Sequence, residues 1–210
     1  MSLRLIFRRW LGEQLRRVRR YAYEVATIGP RDRPAQRFHY FGEGAGLVAP
    51  QGVILNERYI SIGDGTLVGP GVTMSAGFWP GQEISPSPVV SIGRRCVIGR
   101  NSHIVGHERI SIGDDVQTGP GVYVTDQNHS YDDPEIPIGL QVPRNSAVEV
   151  GAGSWIGAHA VLLPGTRLGR NTVVAAGAVV RGSFGDYTVL AGVPARVVKQ
   201  WDDQRGWIAR

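Results

Sequence analysis

The sequence is poor in residues that staple or anchor a chain. Cys96 is its one cysteine, so an intrachain disulfide and a cysteine-built zinc knuckle are excluded, and a reducing cytoplasm is the expected compartment. No apolar run approaches the ~18 residues of a membrane span, and arginines interrupt the N-terminal stretch where a signal peptide needs an apolar core. A soluble or at most peripheral protein is expected. Aromatic residues make up 8% of the chain and charged residues 20%, against 42% hydrophobic. Over 210 residues that is the balance of one globular domain able to bury a core.

Charge is sparse in the body of the chain and dense at its start. Residues 1–37 hold ten arginines against Glu13, Glu24 and Asp32, a net +7 within a whole-chain +5, which leaves the remainder at −2. A nucleic-acid protein carries its basic residues across the folded face, so no nucleic-acid partner is expected. Leu3, Ile6, Phe7, Trp10, Leu11, Leu15, Val18, Tyr21, Ala22 and Val25 recur at helical spacing, with arginines between them. Residues 1–40 therefore read as a basic amphipathic helix and linker. Its apolar stripe either packs on the protein's own body or adsorbs to an anionic membrane face, a peripheral contact.

Glycine is in excess, 29 residues in 210, about twice the usual share of roughly 7%. The cause is repetition. Ile60-Ser61-Ile62-Gly63-Asp64 recurs as Ile110-Ser111-Ile112-Gly113-Asp114, and Gly69-Pro70-Gly71-Val72 recurs as Gly119-Pro120-Gly121-Val122. Six-residue units start at Ile62, Val68, Met74, Ile92, Ile98, Ile104, Ile112, Thr118, Val124, Val150, Ile156, Leu162, Leu168, Val174 and Val180. In each group of three, the first two units have Gly, once Ala175, in second place, and the third does not. The period is thus eighteen. Such nesting predicts an all-β, three-sided solenoid: each unit is a short strand plus a corner, glycines make two corners of three, and the aliphatic starts stack inward. Cys96, at a small inward position, is expected in the core.

On these units the chain resembles the hexapeptide-repeat acyltransferases, being similar to galactoside and maltose O-acetyltransferases and bacterial polysaccharide acetyltransferases over roughly residues 53–201. The resemblance implies a left-handed parallel β-helix, since the period count alone fixes no hand. It also implies a homotrimer with active sites between subunits. The coil is expected over 41–200, with a C-terminal tail at 201–210 and interruptions at 77–91 and 127–148, where solenoid insertions carry function.

Across the start of the second interruption runs Asp126-Gln127-Asn128-His129-Ser130-Tyr131-Asp132-Asp133-Pro134. His129 lies nine residues after Pro120, the spacing at which these acetyltransferases place their catalytic histidine. By resemblance it removes a proton from the acceptor hydroxyl and then protonates the leaving thiolate. Asp126, Asn128, Asp132 and Asp133 are each able to orient the ring or bond a sugar acceptor, and as Asx residues beside a proline each also suits a loop. Asp126, Asn128 and His107 are the expected acceptor contacts.

Further on, Trp155-Ile156-Gly157-Ala158-His159, Leu163-Pro164-Gly165, Gly177-Ala178-Val179-Val180 and Ala191-Gly192-Val193-Pro194-Ala195-Arg196 match the family strip that lines the coenzyme A groove. The resemblance implies backbone contacts to the pantetheine arm from Ala158 and Ala176, cover near the thioester from Trp155, and phosphate contacts from Arg181, Arg196 and Lys199. Family members commonly carry Thr-Lys-Asp where this chain has Arg181-Gly182-Ser183, so one phosphate contact is in question. Arg196 alternatively closes the C-terminal turn in a salt bridge. An amide near Gly157 or Ala158 is expected to stabilise the oxyanion.

The expected activity is transfer of an acetyl group from acetyl-coenzyme A, or of another acyl group from its coenzyme A thioester, to a hydroxyl of a sugar or glycan precursor, with no metal. Alternatives are N-acyl transfer to an amino sugar, an acyl carrier protein as donor, and a non-catalytic scaffold at the membrane. A zinc enzyme of the β-helix carbonic anhydrase kind would need His103 and His107 phased with a third ligand, which their spacing opposes. His159 is expected at the surface or in a subunit contact.

Overall fold

The computed structural model describes residues 3–210. The hexapeptide units become strands of two to four residues, and each turn of chain gives one strand to each of three parallel sheets. One turn comprises Ile60–Ile62, Leu67–Val68 and Thr73–Ala76; the next comprises Val90–Ile92, Val97–Ile98 and His103–Gly106. The unit starts stack in register. Ile62, Ile92, Ile112, Val150 and Leu168 pair in one column, and Met74, Ile104, Val124, Leu162 and Val180 in another. The fourteen apolar starts are all buried, while Thr118 is half-buried. Each coil therefore covers the apolar edge of its neighbours, and most of the folding free energy lies between coils.

The period of eighteen holds only in the upper coils, where Trp155 pairs with Val173 and Val161 with Val179. Below, the step is twenty, from Val97 to Gln117 and from His103 to Tyr123. The third-sheet strands there run to four residues, as in His103–Gly106, rather than two as in Val161–Leu162. The repeat at fifty spans two turns, Ile60 to Val90 and Val90 to Ile110, the first lengthened by an excursion.

Corner geometry accounts for the glycines. In the column Gly63, Gly93, Gly113, Gly151 and Gly169, a Cβ would fall within 2.7 Å of backbone in the next coil, so no side chain fits between coils. Beside this column the chain crosses itself with a repeated clasp: Asp64, Asp114 and Asp186 each accept through Oδ1 the N–H of Glu43, Arg94 and Arg170 one coil below, at 3.0, 2.8 and 2.9 Å. Arg94 also pairs with Asp114, Arg95 with Asp115 and Arg170 with Asp186. Cys96 is fully buried, with Sγ 3.1 Å from Gly113 O, and burial raises its thiol pKa above the ordinary value.

The coil begins earlier than the hexapeptide pattern. Tyr40–Phe41, Gly46–Leu47 and Ile54–Leu55 already pair with the turn above. Val90 and Val148, placed in the interruptions by the sequence, are the first residues of coil strands. Residues 201–210, expected as a tail, instead complete an antiparallel ribbon: Ala195–Asp202 folds back on Thr188–Gly192, and Gly206–Ala209 folds back on it in turn.

The helix Leu3–Ala26 does not bury its apolar stripe on the coil; every apolar side chain from Leu5 to Val25 is exposed. The reading in which the stripe packs on the chain's own body is thus corrected. Its root is fastened. Gln51 Nε2 donates to Ala26 O at 2.7 Å, Ala49 N–H donates to Thr27 Oγ1, and Ile28 and Leu47 form an antiparallel bridge.

The outward columns of the three faces differ. Ser61, Ser91, Ser111, Glu149 and Arg167 line the first face. Leu67, Val97, Gln117, Trp155, Val173, Val189 and Lys199 line the second, and Thr73, His103, Tyr123, Val161 and Val179 the third. Polarity is thus concentrated on one side, leaving apolar groups exposed on the second.

Candidate active site

The chemically loaded excursion leaves the coil at the end of the third-sheet strand Tyr123–Thr125 and returns at Ser146. Its two legs, Gln127–Asn128 and Arg144–Asn145, pair antiparallel, and Gln127 Nε2 donates to Asn145 Oδ1 at 3.0 Å. At the neck, Ser146 N–H donates to Asp126 O at 2.7 Å, and Ser146 O accepts from Gly165 N–H one coil above at 3.0 Å. The excursion is therefore hydrogen-bonded into the stack at its base. At its far end Ser130 Oγ donates to Val142 O, and Arg144 pairs with Asp132.

His129 lies at the rim of this excursion, exposed, and lines a cavity of about 370 Å³. The walls come from both legs, including Asn128, Asp132, Arg144 and Ser146, and from two corners above, Pro164-Gly165 and Arg181-Gly182. Three coils thus converge on one histidine. Arg181 forms no hydrogen bond or ion pair with another described residue, and it is the cation without an intrachain partner in this wall. The sequence separated Arg181 from His129 and placed it among phosphate contacts; the fold puts it in the histidine's cavity. Tyr131, Ser146 and Arg144 in the same lining went unrecognised. A basic residue on the return leg of an acidic loop was the available signal for Arg144.

Asp126 is not an acceptor contact within this chain, which corrects the expectation. It is fully buried, and its carboxylate accepts three consecutive backbone N–H groups, from His107, Glu108 and Arg109, at 2.7–2.8 Å. A buried carboxylate needs such donors, so its role is to hold the corner below against the start of the excursion. His107 is likewise enclosed rather than presented to the cavity. Its Nδ1 is buried without a hydrogen-bond partner, 3.6 Å from Asp126 Oδ1, and its ring centroid is 4.4 Å from that of Phe78 on the first excursion. Asn128 lies in the cavity wall. His103 is exposed beside Tyr123, whereas His107 is enclosed, and no group of three or more metal-ligating side chains occurs among the described residues of this chain.

The strip assigned to coenzyme A separates by face. Trp155, Val173, Val189 and Lys199 stand in one outward column of the second sheet, so Trp155 and Lys199 are three strand spacings apart, about 14 Å. Ala158 and Ala176 sit at the next corner. No hydrogen bond reaches Ala158 N–H or Ala176 N–H from the described residues, whereas Gly157 N–H is committed to Val174 O at 2.7 Å. Of the two amides considered for an oxyanion, only that of Ala158 is open. Arg196 is exposed and donates to Ala195 O, its own neighbour, with no carboxylate partner among the described residues. His159 is exposed at positive φ.

A three-sided hexapeptide coil with a histidine on an excursion defines a class of solenoid transferase, and comparison with known proteins names it. A family model described as bacterial transferase hexapeptide (six repeats) matches residues 147–182, and one described as hexapeptide repeat of succinyl-transferase matches residues 89–126. WbbJ of Escherichia coli K12, named for lipopolysaccharide biosynthesis O-acetyl transfer, is 32% identical over 158 residues, covering 72% of this chain and 76% of WbbJ. Galactoside O-acetyltransferase of the same organism is 28% identical over 156 residues, covering 72% and 68%. The structure of AntD, an N-acyltransferase from Bacillus cereus in complex with dTDP and 3-hydroxybutyryl-CoA, shares the fold with TM-score 0.71 at 20% identity over 85% of this chain and 92% of AntD. The chain belongs to the hexapeptide-repeat transferase family, and within it to the acyltransferases.

Proposed function

We propose that the protein moves an acetyl group from acetyl-coenzyme A to a hydroxyl of a sugar or glycan precursor, using His129 as general base and then general acid. The observation that carries this reading is the cavity in which His129 meets Asn128, Arg144 and Arg181. Two relatives named for O-acetyl transfer, each aligned over more than two thirds of its own length, support oxygen as the acceptor atom.

In this reading His129 takes the acceptor proton as the oxygen attacks the thioester carbonyl. The tetrahedral oxyanion is met by a backbone amide, for which Ala158 N–H is open. Collapse breaks the C–S bond, and the imidazolium returns its proton to the sulfur. The chain's own residues suit the thioester donor: a small-residue corner at Ala158 and Ala176 for the pantetheine arm, Trp155 above it, and Lys199 and Arg196 exposed for phosphates. Trp155 and Lys199 lie on the second face, while His129 lies where the third face turns into the first. A homotrimer of left-handed coils, with one subunit's second face against its neighbour's excursion, brings the two halves together.

The test is release of free thiol from acetyl-coenzyme A across a panel of sugars, amino sugars and nucleotide sugars, for wild type and His129→Ala. Acceptor-dependent release that falls about 10²- to 10⁴-fold in the variant, with coenzyme binding kept, supports the reading. Release confined to amino sugars moves the acceptor atom to nitrogen. Coenzyme binding without any turnover, or no binding, overturns it.

A further inference from the structure

We infer that the N-terminal helix is a docking arm for an anionic lipid bilayer surface, a partner that acyl transfer itself neither requires nor supplies. The helix Leu3–Ala26 has 24 residues, about 36 Å of rod. Phe7, Trp10, Leu11, Val18, Tyr21 and Val25 share one side at helical spacing, and Arg9, Arg16 and Arg20 occupy the opposite side. Arg8 and Arg19 flank the apolar stripe. Phe7, Trp10, Leu15, Val18 and Tyr21 are 54–68% exposed, an unusual cost for five large apolar side chains on a protein surface.

Charge selects the occupant. Seven arginines against Glu13 and Glu24 give the helix +5, all of the chain's net charge. In a bundle made with other copies of the helix, the flanking arginines would crowd like charges together along the seam. At an anionic surface the same arginines meet phosphates, with guanidinium forks matched to phosphate oxygens, while Trp10 and Phe7 enter the headgroup boundary. No helix among the described residues is long and apolar enough to cross a membrane, so the arm lies in the interface. Its root on the first coil, through Gln51, Thr27 and the Ile28–Leu47 bridge, makes the contact a mount for the whole solenoid.

The test uses the full-length protein and sedimentation with vesicles of phosphatidylcholine alone or with about 30% phosphatidylglycerol. The expected result is binding at least about tenfold tighter to the anionic vesicles, weakening steeply with salt. Trp10→Glu, and separately Arg16→Ser with Arg17→Ser, Arg19→Ser and Arg20→Ser, should each reduce that binding about tenfold or more, with thermal transition and oligomeric mass unchanged. Absence of vesicle binding overturns the inference. So does loss of oligomeric mass in Trp10→Glu, which would make a second copy of the chain the occupant. Binding is read without turnover, so this test fails or succeeds independently of the acyl-transfer reading.

Discussion

The carboxylate of Asp126 holds the N–H of His107 at 2.8 Å across the gap between two coils, and takes those of Glu108 and Arg109 with it. Three residues further on stands His129. Asp126 is thus a positioning residue that ties the start of the excursion to the corner beneath. In Asp126→Asn one acceptor oxygen becomes an NH₂ group facing N–H donors, which should cost about 1–3 kcal/mol of stability and lower thiol release as His129 loses its support. Denaturant unfolding measures the first effect and initial rates the second. Unchanged stability with only a raised acceptor KM would return Asp126 to the role of acceptor contact.

Arg181 and Lys199 should separate acceptor from coenzyme. Arg181 shares the cavity of His129 without a partner among the described residues, and Lys199 stands in the column of Trp155. Arg181→Ala is expected to raise the KM of an anionic acceptor about tenfold, the worth of one charge-assisted hydrogen bond, and to leave coenzyme A affinity unchanged. Lys199→Ala should do the reverse. Calorimetric titration with coenzyme A, set beside acceptor saturation curves, distinguishes the two, and a swapped result would place Arg181 on the coenzyme phosphates.

One glycine column supplies its own control. In Gly93→Ala the new methyl would sit 2.6 Å from Asp114 N and from Gly113 C, both backbone. Forcing the coils apart should cost about 1–3 kcal/mol. Gly185 occupies the equivalent corner of the last coil, where nothing lies within 4 Å, so Gly185→Ala should change stability by less than about 0.5 kcal/mol. Thermal unfolding of the two variants provides the comparison.

The corner clasp predicts a pH dependence. The Arg94 guanidinium, followed by the Arg94 backbone N–H, holds the Asp114 carboxyl below its usual range. A carboxyl whose folded pKa is depressed adds stability above its unfolded value, about 3.9, and loses it as pH falls through the folded one. The stability gap between wild type and Asp114→Asn should therefore be present at pH 7 and close below about pH 3.9. Unfolding midpoints across that range test the sign, and a gap that widens in acid would refute it.

Much of the fold was written in the sequence because stacking imposes its own spelling: Ile62, Ile92, Ile112, Val150 and Leu168 must all be aliphatic to cover one another. The coil was expected from residue 41, but the hexapeptide register of its first turn was not legible, since its buried positions include the small residues Ala45 and Ala49, which leave no hexapeptide signature. The site was half legible. His129 and Asn128 fell in the expected excursion, but Asp126 bonds only backbone N–H groups, which carry no side-chain pattern, and its place in a polar loop resembled that of a solvent-facing residue. Arg181 lies two turns above the excursion, beyond the reach of any local motif. The helix stripe was legible as a pattern, while its partner was not, because amphipathicity states that a face is covered without saying by what.

A parallel coil has no built-in last strand, because each turn offers the next an open edge on all three sides. The antiparallel ribbon formed by Ala195–Asp202 and Gly206–Ala209 reverses direction on one of those edges, its outer strand being four residues between Arg205 and Arg210. A short, reversed strand flanked by arginines is a poor template for another chain's strands. The ribbon thus leaves that edge of the second sheet a poor site for further stacking, although every parallel turn beneath it is built to be added to.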